Sequence, residues 1–501
     1  MSTRTDALVW SSLPIHFIGI GGCGMSGLAL MLRARGALVT GADQCESETT
    51  VSLRSHGVAV SIGTDPDSVP EATRLVVASA AIKSDHPELA RAHALGIESI
   101  TYAEALGRAQ AARTTVSIAG THGKSTTTAL LAYVLVEAGL DPSVIVGANC
   151  PQLGGGTRTG SELVPLGARA GAPGVFVAEA CEYSRSFHSQ RPTLALINNI
   201  EEDHLDCYGS LDEIVKAFRA FAGLLPAASA GGRLLVAHEG GHRRAVASGL
   251  EAEVATFGWS PSADYRVDYD PISNSATLWH KGAEILAWRG RLIGEHNALN
   301  SAAAGILALW LGAERAAIEA AIGSFQGLDR RMQSLGECTL RSGARVKIFD
   351  DYGHHPTECE RTLTALRTAE QPSRLICVFQ PHQHSRTRFL LEQFAQSFSK
   401  ADLVVVAPIY FVRDSEIEKT LVSAADLAEK LNSRGTRAIA IDAFDAITAF
   451  LEEEARDGDL IVVMGAGPVW TIAHALAARA LEHAGQASCA PPRAAASPDA
   501  G

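Results

Sequence analysis

At 501 residues, with 47% hydrophobic and 20% charged side chains, the chain has a globular composition, and at about 150 residues per domain its length predicts three domains. A formal charge of −12 argues against a nucleic-acid backbone as the main partner and leaves room for a local basic site. No apolar run approaches the ~18 residues that a bilayer span needs, and Met1–Ala7 lacks the basic start and apolar core of a signal peptide, so the cytoplasm is the expected compartment. Nine scattered cysteines without a Cys-x-x-Cys pair read as reduced thiols rather than a disulfide framework or a zinc cluster.

The first segment opens with Ile15-His-Phe-Ile-Gly-Ile-Gly21-Gly22-Cys-Gly24-Met25-Ser26-Gly27, continues as a helical run to Gly36, and enters a second strand ending at Asp43. This is a βαβ unit with a G-x-G-x-x-G turn, whose glycines allow close backbone approach and whose helix start accepts a pyrophosphate. The motif predicts a dinucleotide or nucleotide-diphosphate guest, with Asp43 placed to accept from a ribose or base. A further strand, 74–82, runs into a short helix after Pro87.

The second segment runs from about Arg113 to about Leu328. Val116–Ala119 is a buried-strand run that breaks into Gly120-Thr121-His122-Gly123-Lys124-Ser125-Thr126 and resumes with helical spacing. Strand, phosphate loop and helix make a site for ATP: backbone N–H groups face the phosphates, Lys124 reaches the β- and γ-oxygens, and the Ser125 hydroxyl suits Mg²⁺. The loop is shorter than the common pattern, whose first glycine would fall at Ile118. Two more strand runs end in acids and an imidazole, at Glu179-Ala-Cys-Glu182 and at Asn198-Asn-Ile-Glu201-Glu-Asp203-His204. Singly these are ordinary strand-end charges; a shared edge with the phosphate loop makes them candidate Mg²⁺ ligands. Residues 232–293 alternate in short runs split by turns, which predicts a small antiparallel sheet. Asn297 and Asn300 then fall one turn apart on a helix, as an adenine-edge pair or as caps.

The third segment, from Leu328, repeats strand–loop–helix units and predicts a parallel sheet. His354, His355, His382, Arg386 and Arg388 fall on its ligand edge, and with no cysteine among them they read as carboxylate and phosphate donors. Residues 485–501, rich in Ala, Pro and Ser, read as a disordered tail.

Taken together, Gly19-x-Gly-Gly-x-Gly24-Met-Ser, Gly120-Thr-His-Gly-Lys-Ser-Thr-Thr-Thr, Glu179-Ala-x-Glu182, Asn199-Ile-Glu-x-Asp-His204, His296-Asn-x-x-Asn300, Asp329-Arg-Arg331, Asp351-Tyr-Gly-His-His-Pro and Gln380-Pro-His-x-x-Ser-Arg386 resemble the Mur ligases, in order, from about Ile15 to about Gly467. The resemblance implies a three-domain α/β fold: a Rossmann-like N-terminal domain for the UDP-sugar (1–112), a central P-loop ATPase domain with the small antiparallel sheet (113–328), and a Rossmann-like C-terminal domain (329–484). It implies an ADP-forming ligase of peptidoglycan precursor synthesis that uses ATP and Mg²⁺ and passes through an acyl phosphate. Within the family the loops resemble the branch that joins L-alanine to UDP-N-acetylmuramate.

Carried over by position, Lys124 would bind the phosphates while Ser125, Glu179 and His204 face magnesium. Gly120, Thr121, His122, Gly123, Thr126, Asn297, Asn300, Arg331 and Asp351 would line ATP. Gly21, Gly22, Gly24, Met25, Ser26 and Asp43 would meet the UDP group, and Glu182, Tyr352, His354, His382 and Arg386 the sugar acid or amino acid. Lys124, Glu179, His204, Arg331, Asp351 and Arg386 would form the catalytic set. This chain departs from the alanine branch at Glu182-Tyr183-Ser184-Arg185 and at Gln383-His384. The Glu-Tyr pair resembles the tripeptide-recycling branch, which stays open, as do a P-loop kinase, a nicotinamide-dependent oxidoreductase and a non-catalytic nucleotide scaffold.

Overall fold

The computed structural model describes residues 10–412 and 414–478. The tail read from 485 to 501 lies outside them. The chain divides into two compact units, Met1–Asp329 and Arg330–Gly501. No helix among the described residues is long and apolar enough to cross a membrane.

The first unit carries two sheets. The N-terminal one has five parallel strands in the spatial order Ala59–Ile62, Leu38–Asp43, Pro14–Ile18, Leu75–Ala78, Glu98–Thr101. The order reverses beside Pro14–Ile18, so the glycine-rich turn that follows it opens at the crevice where doubly wound sheets take ligands. The core under this sheet also contains Ile145, Phe176 and Ala178 from the neighbouring sheet, and that shared apolar face welds two predicted domains into one packed unit.

The second sheet has ten strands, and its centre explains the site. Thr114–Ala119, buried at every position, lies between Leu194–Ile197 on one side and Val175–Glu179 on the other, parallel to both. Register sets Ile118 beside Glu179 and Ala119 beside Ile197, so the phosphate loop and both acidic strand ends leave the sheet at one edge. The stretch expected to form a small antiparallel sheet does not stand apart. Arg233–Ala237 and Glu253–Gly258 are parallel members of the large sheet, and the antiparallel strands Tyr265–Asp270, Ser275–His280 and Ala283–Arg289 extend its edge. The turn residues at 273–274 and 281–282 make hairpins, and Tyr265 pairs onto an existing strand rather than starting a new layer.

In the second unit six strands run in the order Gln333–Thr339, Arg345–Asp351, Asp459–Met464, Arg374–Phe379, Leu403–Val406, Ala438–Ala440. The expected parallel sheet is present, with one correction: Gln333–Thr339 is an antiparallel edge strand, paired through a bulge at Gly336. Asp351 and Phe379 both register with Met464, which brings the loops after three strands to a common edge.

Candidate active site

The phosphate loop is held by bonds that its own sequence does not announce. The Thr121 N–H donates to the Asn199 carbonyl at 3.1 Å, the His122 N–H to Asn199 Oδ1 at 2.7 Å, and the Glu201 N–H to Thr121 Oγ1 at 2.9 Å. Asn199 Nδ2 returns a bond to the His122 carbonyl at 3.2 Å. The loop ends at Gly123, φ 81°, the N-cap of helix Lys124–Glu137. A side chain there would meet both strain and matter: an added Cβ would stand 2.6 Å from Asn300 Oδ1 and 3.0 Å from Asn198 Nδ2.

Lys124 Nζ donates to the Gly120 and Thr121 carbonyls at 2.6 and 3.0 Å and to Glu182 Oε1 at 3.0 Å. Burial pulls the ammonium's pKa down, but the Glu182 carboxylate together with Cys181 and Glu179 more than offsets it and holds the group above its ordinary value. Glu182 is itself 3% exposed. Its backbone carbonyl accepts from the Tyr208 hydroxyl, which burial pushes up to about 12. His204 Nε2 lies 3.8 Å from Glu182 Oε1 and 3.6 Å from Asp203 Oδ2, so Glu182, Asp203 and His204 offer ligand atoms within 4.8 Å of one another. Backbone strain gathers here: Ser184, Arg185 and His204 all have φ near +50°.

The expected metal set of Ser125, Glu179 and His204 is arranged differently. Ser125 is buried in the first turn after the loop, with Thr126 half-buried beside it. Glu179 accepts from the Gly147 N–H at 2.6 Å. The carboxylate grouped with His204 is Glu182, three residues further along. Oxygens from Glu182 and Asp203 together with an imidazole suit a divalent cation, so the residues present fit a magnesium ion. Asn297 and Asn300 are buried on helix Glu295–Trp310, whose N-cap is Gly294, so neither is the cap. Asn300 Nδ2 donates to Asn297 Oδ1 at 3.2 Å, and its Oδ1 accepts from Thr127 Oγ1 at 3.1 Å beneath the loop.

At the N-terminal turn the Gly21 N–H donates to Asp43 Oδ2 at 2.8 Å, so Asp43 braces the turn from within. A Cβ on Gly24 would lie 2.7 Å from the Tyr102 hydroxyl. Gly22 and Cys23 are exposed, whereas Met25 is core and the Ser26 hydroxyl donates to the Cys23 carbonyl at 3.0 Å. Of the residues expected to meet a UDP group, the turn's backbone is therefore what faces outward. Tyr102 is held above its ordinary pKa by burial first and then by the charge of Glu179, which ties this turn electrostatically to the central sheet's acidic edge.

In the second unit Asp351 is 4% exposed, accepts from Thr362 Oγ1 at 2.6 Å, and is raised by burial above the ordinary carboxylate range. The Arg331 guanidinium lies 4.7 Å from the Tyr352 ring centre and 3.9 Å from Glu358. The His354 N–H donates to Glu358 Oε2 at 2.9 Å, and His355 caps helix Pro356–Glu370. The His354 ring is 5.7 Å from that of His382. Arg386 Nη1 donates to His382 Nδ1 at 3.2 Å; because a guanidinium only donates, Nδ1 is the acceptor and the neutral ring carries its proton on Nε2. Gln383, at φ 67°, is buried, and Asp414 accepts from the His384 N–H and the Ser385 hydroxyl, both at 2.5 Å. Arg388 is paired with Glu418 through two bonds of 2.9 and 3.1 Å, whereas Arg386 lies against His382. Asn198, Asn199, Tyr208 and Asp414 are the supporting residues that sequence reasoning missed; only the Asn-Asn pair ahead of an acidic strand end was a visible signal.

Three family models cover the chain: "Mur ligase family, catalytic domain" over residues 14–114, "Mur ligase middle domain" over 118–308, and "Mur ligase, glutamate ligase domain" over 330–467. A UDP-N-acetylmuramate--L-alanine ligase of Paenarthrobacter aurescens is 38% identical over 459 residues, 91% of this chain and 94% of that one. Another, of Carboxydothermus hydrogenoformans, is 37% identical over 484 residues, 96% and 99% of the two chains. The fold matches the crystal structure of the Thermotoga maritima UDP-N-acetylmuramate-alanine ligase with a TM-score of 0.73 at 24% identity, over 95% of this chain and all of that one. A murein peptide ligase of Psychrobacter arcticus shares the fold at a TM-score of 0.67, again at 24% identity, over 93% of this chain and 98% of that one. From the glycine-rich turn to the last strand, the chain belongs to the Mur ligase family.

Proposed function

We propose that the protein is an ADP-forming ligase that joins L-alanine to UDP-N-acetylmuramate in peptidoglycan precursor synthesis, in the cytoplasm. The observation that carries this reading is Lys124, seated on a phosphate loop between two acidic strand ends, in a chain more than a third identical to ligases of that name. Residues 1–112 would take the UDP-sugar on the Gly21–Gly24 turn, 113–328 the ATP, and 329–484 would carry the loops that meet the amino acid.

A carboxylate is a poor acyl donor, so the γ-phosphoryl group is first moved onto it and the amine attacks the resulting acyl phosphate. Lys124 has to turn from Glu182 toward the phosphates and offset the charge that develops there. Asn199 holds the loop by accepting from the Thr121 and His122 N–H groups, and the N–H groups at the start of helix Lys124–Glu137 would orient the phosphate chain. Glu182, Asp203 and His204, with Ser125 and Glu179, would hold Mg²⁺, which supplies Lewis-acid stabilisation of the transferring oxygens. Arg331 and Asp351 are assigned to ATP, and His354, His382 and Arg386 to the amino acid and acyl phosphate. A guanidinium such as Arg386 pairs with a carboxylate in bidentate fashion. No covalent protein nucleophile is required, and catalysis rests on positioning and electrostatics. Phosphate release measured with UDP-N-acetylmuramate across a panel of amino acids and peptides tests the reading; release that depends on both the sugar nucleotide and L-alanine supports it, and none with any acceptor refutes it.

A further inference from the structure

The second unit begins on a strained turn. Arg330 and Met332, neither of them glycine, have φ of 58° and 48°, and Arg331, assigned to ATP, stands between them. Such geometry persists only where surrounding contacts over-determine it. Arg330 supplies those contacts. Its Nη2 donates to the Gly465 carbonyl at 2.6 Å and to the Gly467 carbonyl at 3.0 Å, where the last strand leaves the sheet. Its Nε faces Asp350 Oδ2 at 3.8 Å, and its planar face lies 5.1 Å from the Tyr352 ring centre. The backbone is tied as well: the Arg330 N–H donates to Gln333 Oε1 at 2.8 Å, and its carbonyl accepts from the Tyr352 N–H at 2.6 Å. Asp350 is fully buried, with His474 Nε2 at 3.4 Å as its other neighbour and Asp351 beside it in the strand.

We propose that Arg330 is a positioning residue for the ligation, an inference that rests on the function argued above: through Gly465, Gly467, Asp350 and Tyr352 it fixes the turn that presents Arg331 beside the Asp351 strand end. The demands are particular to arginine. One nitrogen serves two carbonyls, another faces a buried carboxylate, and a flat face covers a ring, whereas a lysine ammonium offers a single point charge and no plane. Residues 330, 350, 352, 465 and 467 thus form one polar clasp over the ends of two neighbouring strands, Arg345–Asp351 and Asp459–Met464.

The test uses the full chain with ATP, UDP-N-acetylmuramate and L-alanine, comparing wild type with Arg330→Lys, Arg330→Met and Arg330→Ala. Displacing a reacting group by about 1 Å costs on the order of 10²-fold in rate, so kcat should fall by about 10- to 100-fold in all three, including the charge-conserving lysine. The KM for UDP-N-acetylmuramate should stay within about twofold, and millimolar guanidinium should restore part of kcat to Arg330→Ala alone. Amide exchange at Tyr352 should accelerate in the same variants. Arg330→Lys turning over within about twofold of wild type overturns the proposal, and so does a kcat loss that merely tracks the folded fraction at the assay temperature. A wild-type chain that releases no ADP with these substrates refutes the functional reading instead, which keeps the two failures apart.

Discussion

Lys124 is held by a carboxylate rather than by solvent. Its charge is kept by Glu182 within a site that would otherwise favour the neutral amine, so the group stays cationic across the physiological range. Replacing Lys124 with alanine removes the one cation on the loop, and turnover is expected to fall by about 10³-fold or more while UDP-N-acetylmuramate still binds. Isothermal titration of the sugar nucleotide beside an ADP-release assay checks this, and near-normal turnover would remove ATP from the loop. Asp350 makes a second prediction, one of pH. Burial raises its pKa to about 6, against the pull of Arg330 and His474. Because the folded state holds this proton more tightly than the unfolded chain, its contribution is fullest below the ordinary carboxyl pKa of about 3.9. It is lost as pH rises through 6, at a cost on the order of 3 kcal/mol by neutrality. Asp350→Asn should therefore flatten the decline in urea midpoint between pH 4 and 7; an unchanged slope sinks the assignment. The sequence made Lys124 legible because a Gly-Lys-Ser after a strand has few other uses. It did not reveal Glu182 as the lysine's partner, since that depends on which way the strained turn after Val175–Glu179 folds back.

At the scale of elements, the strand–loop–helix unit works because its neighbours brace it. Thr114–Ala119 supplies a buried spine, Asn199 laces the loop from the next strand, Asn198 donates to Thr127 beneath it, and Asn300 on helix Glu295–Trp310 closes the space behind Gly123. Gly123→Ala is expected to combine a left-handed backbone with a Cβ 2.6 Å from Asn300 Oδ1, displacing the loop and costing about 10²-fold in kcat. Glu137→Ala, exposed at the far end of the same helix, serves as the control and should leave the loop in place. Steady-state kinetics of the pair decides, and equal activity in both contradicts the bracing argument. Hydrophobic runs and glycine turns made the parallel strands of all three sheets readable. The edges were less so: Gln333–Thr339 carries few apolar residues and is recruited by pairing with Arg345–Asp351, and the 265–289 hairpins join a large sheet because Glu253–Gly258 offers them an open edge. Asn297 and Asn300 were visible as a helical pair, yet what Asn300 touches comes from a helix over 170 residues away in sequence.

For the molecule as a whole the question is which amine it accepts, and the candidate residues in the second unit bear on that choice. An arginine at position 383 would add a charge-assisted bond to a carboxylate; here Gln383 is buried and Arg388 is committed to Glu418. Arg386, which donates to His382, is the arginine proposed for the amino-acid carboxylate. A single fork is enough for a small amino acid, but it gives little purchase for discrimination by size, because one methylene or hydroxyl in a pocket is worth only about 10- to 200-fold. The protein should accordingly favour L-alanine over glycine and L-serine by factors in that range. Arg386→Ala should raise the KM for L-alanine by more than about tenfold, in line with the ~1.5–3 kcal/mol of a hydrogen bond to a charged group, and should leave the KM for ATP near its original value. The Glu182-Tyr183 pair, shared with the tripeptide-recycling branch, supplies the contrary expectation, since a longer peptide amine needs contacts beyond one carboxylate clamp. A competition assay offering L-alanine, glycine, L-serine and the L-Ala-D-Glu-diaminopimelate tripeptide together, with products separated by mass, distinguishes the two. Predominant tripeptide ligation would overturn the choice of amine and leave the phosphate-loop chemistry standing, because Lys124 and its acidic neighbours act on the acyl half of the reaction whichever amine follows.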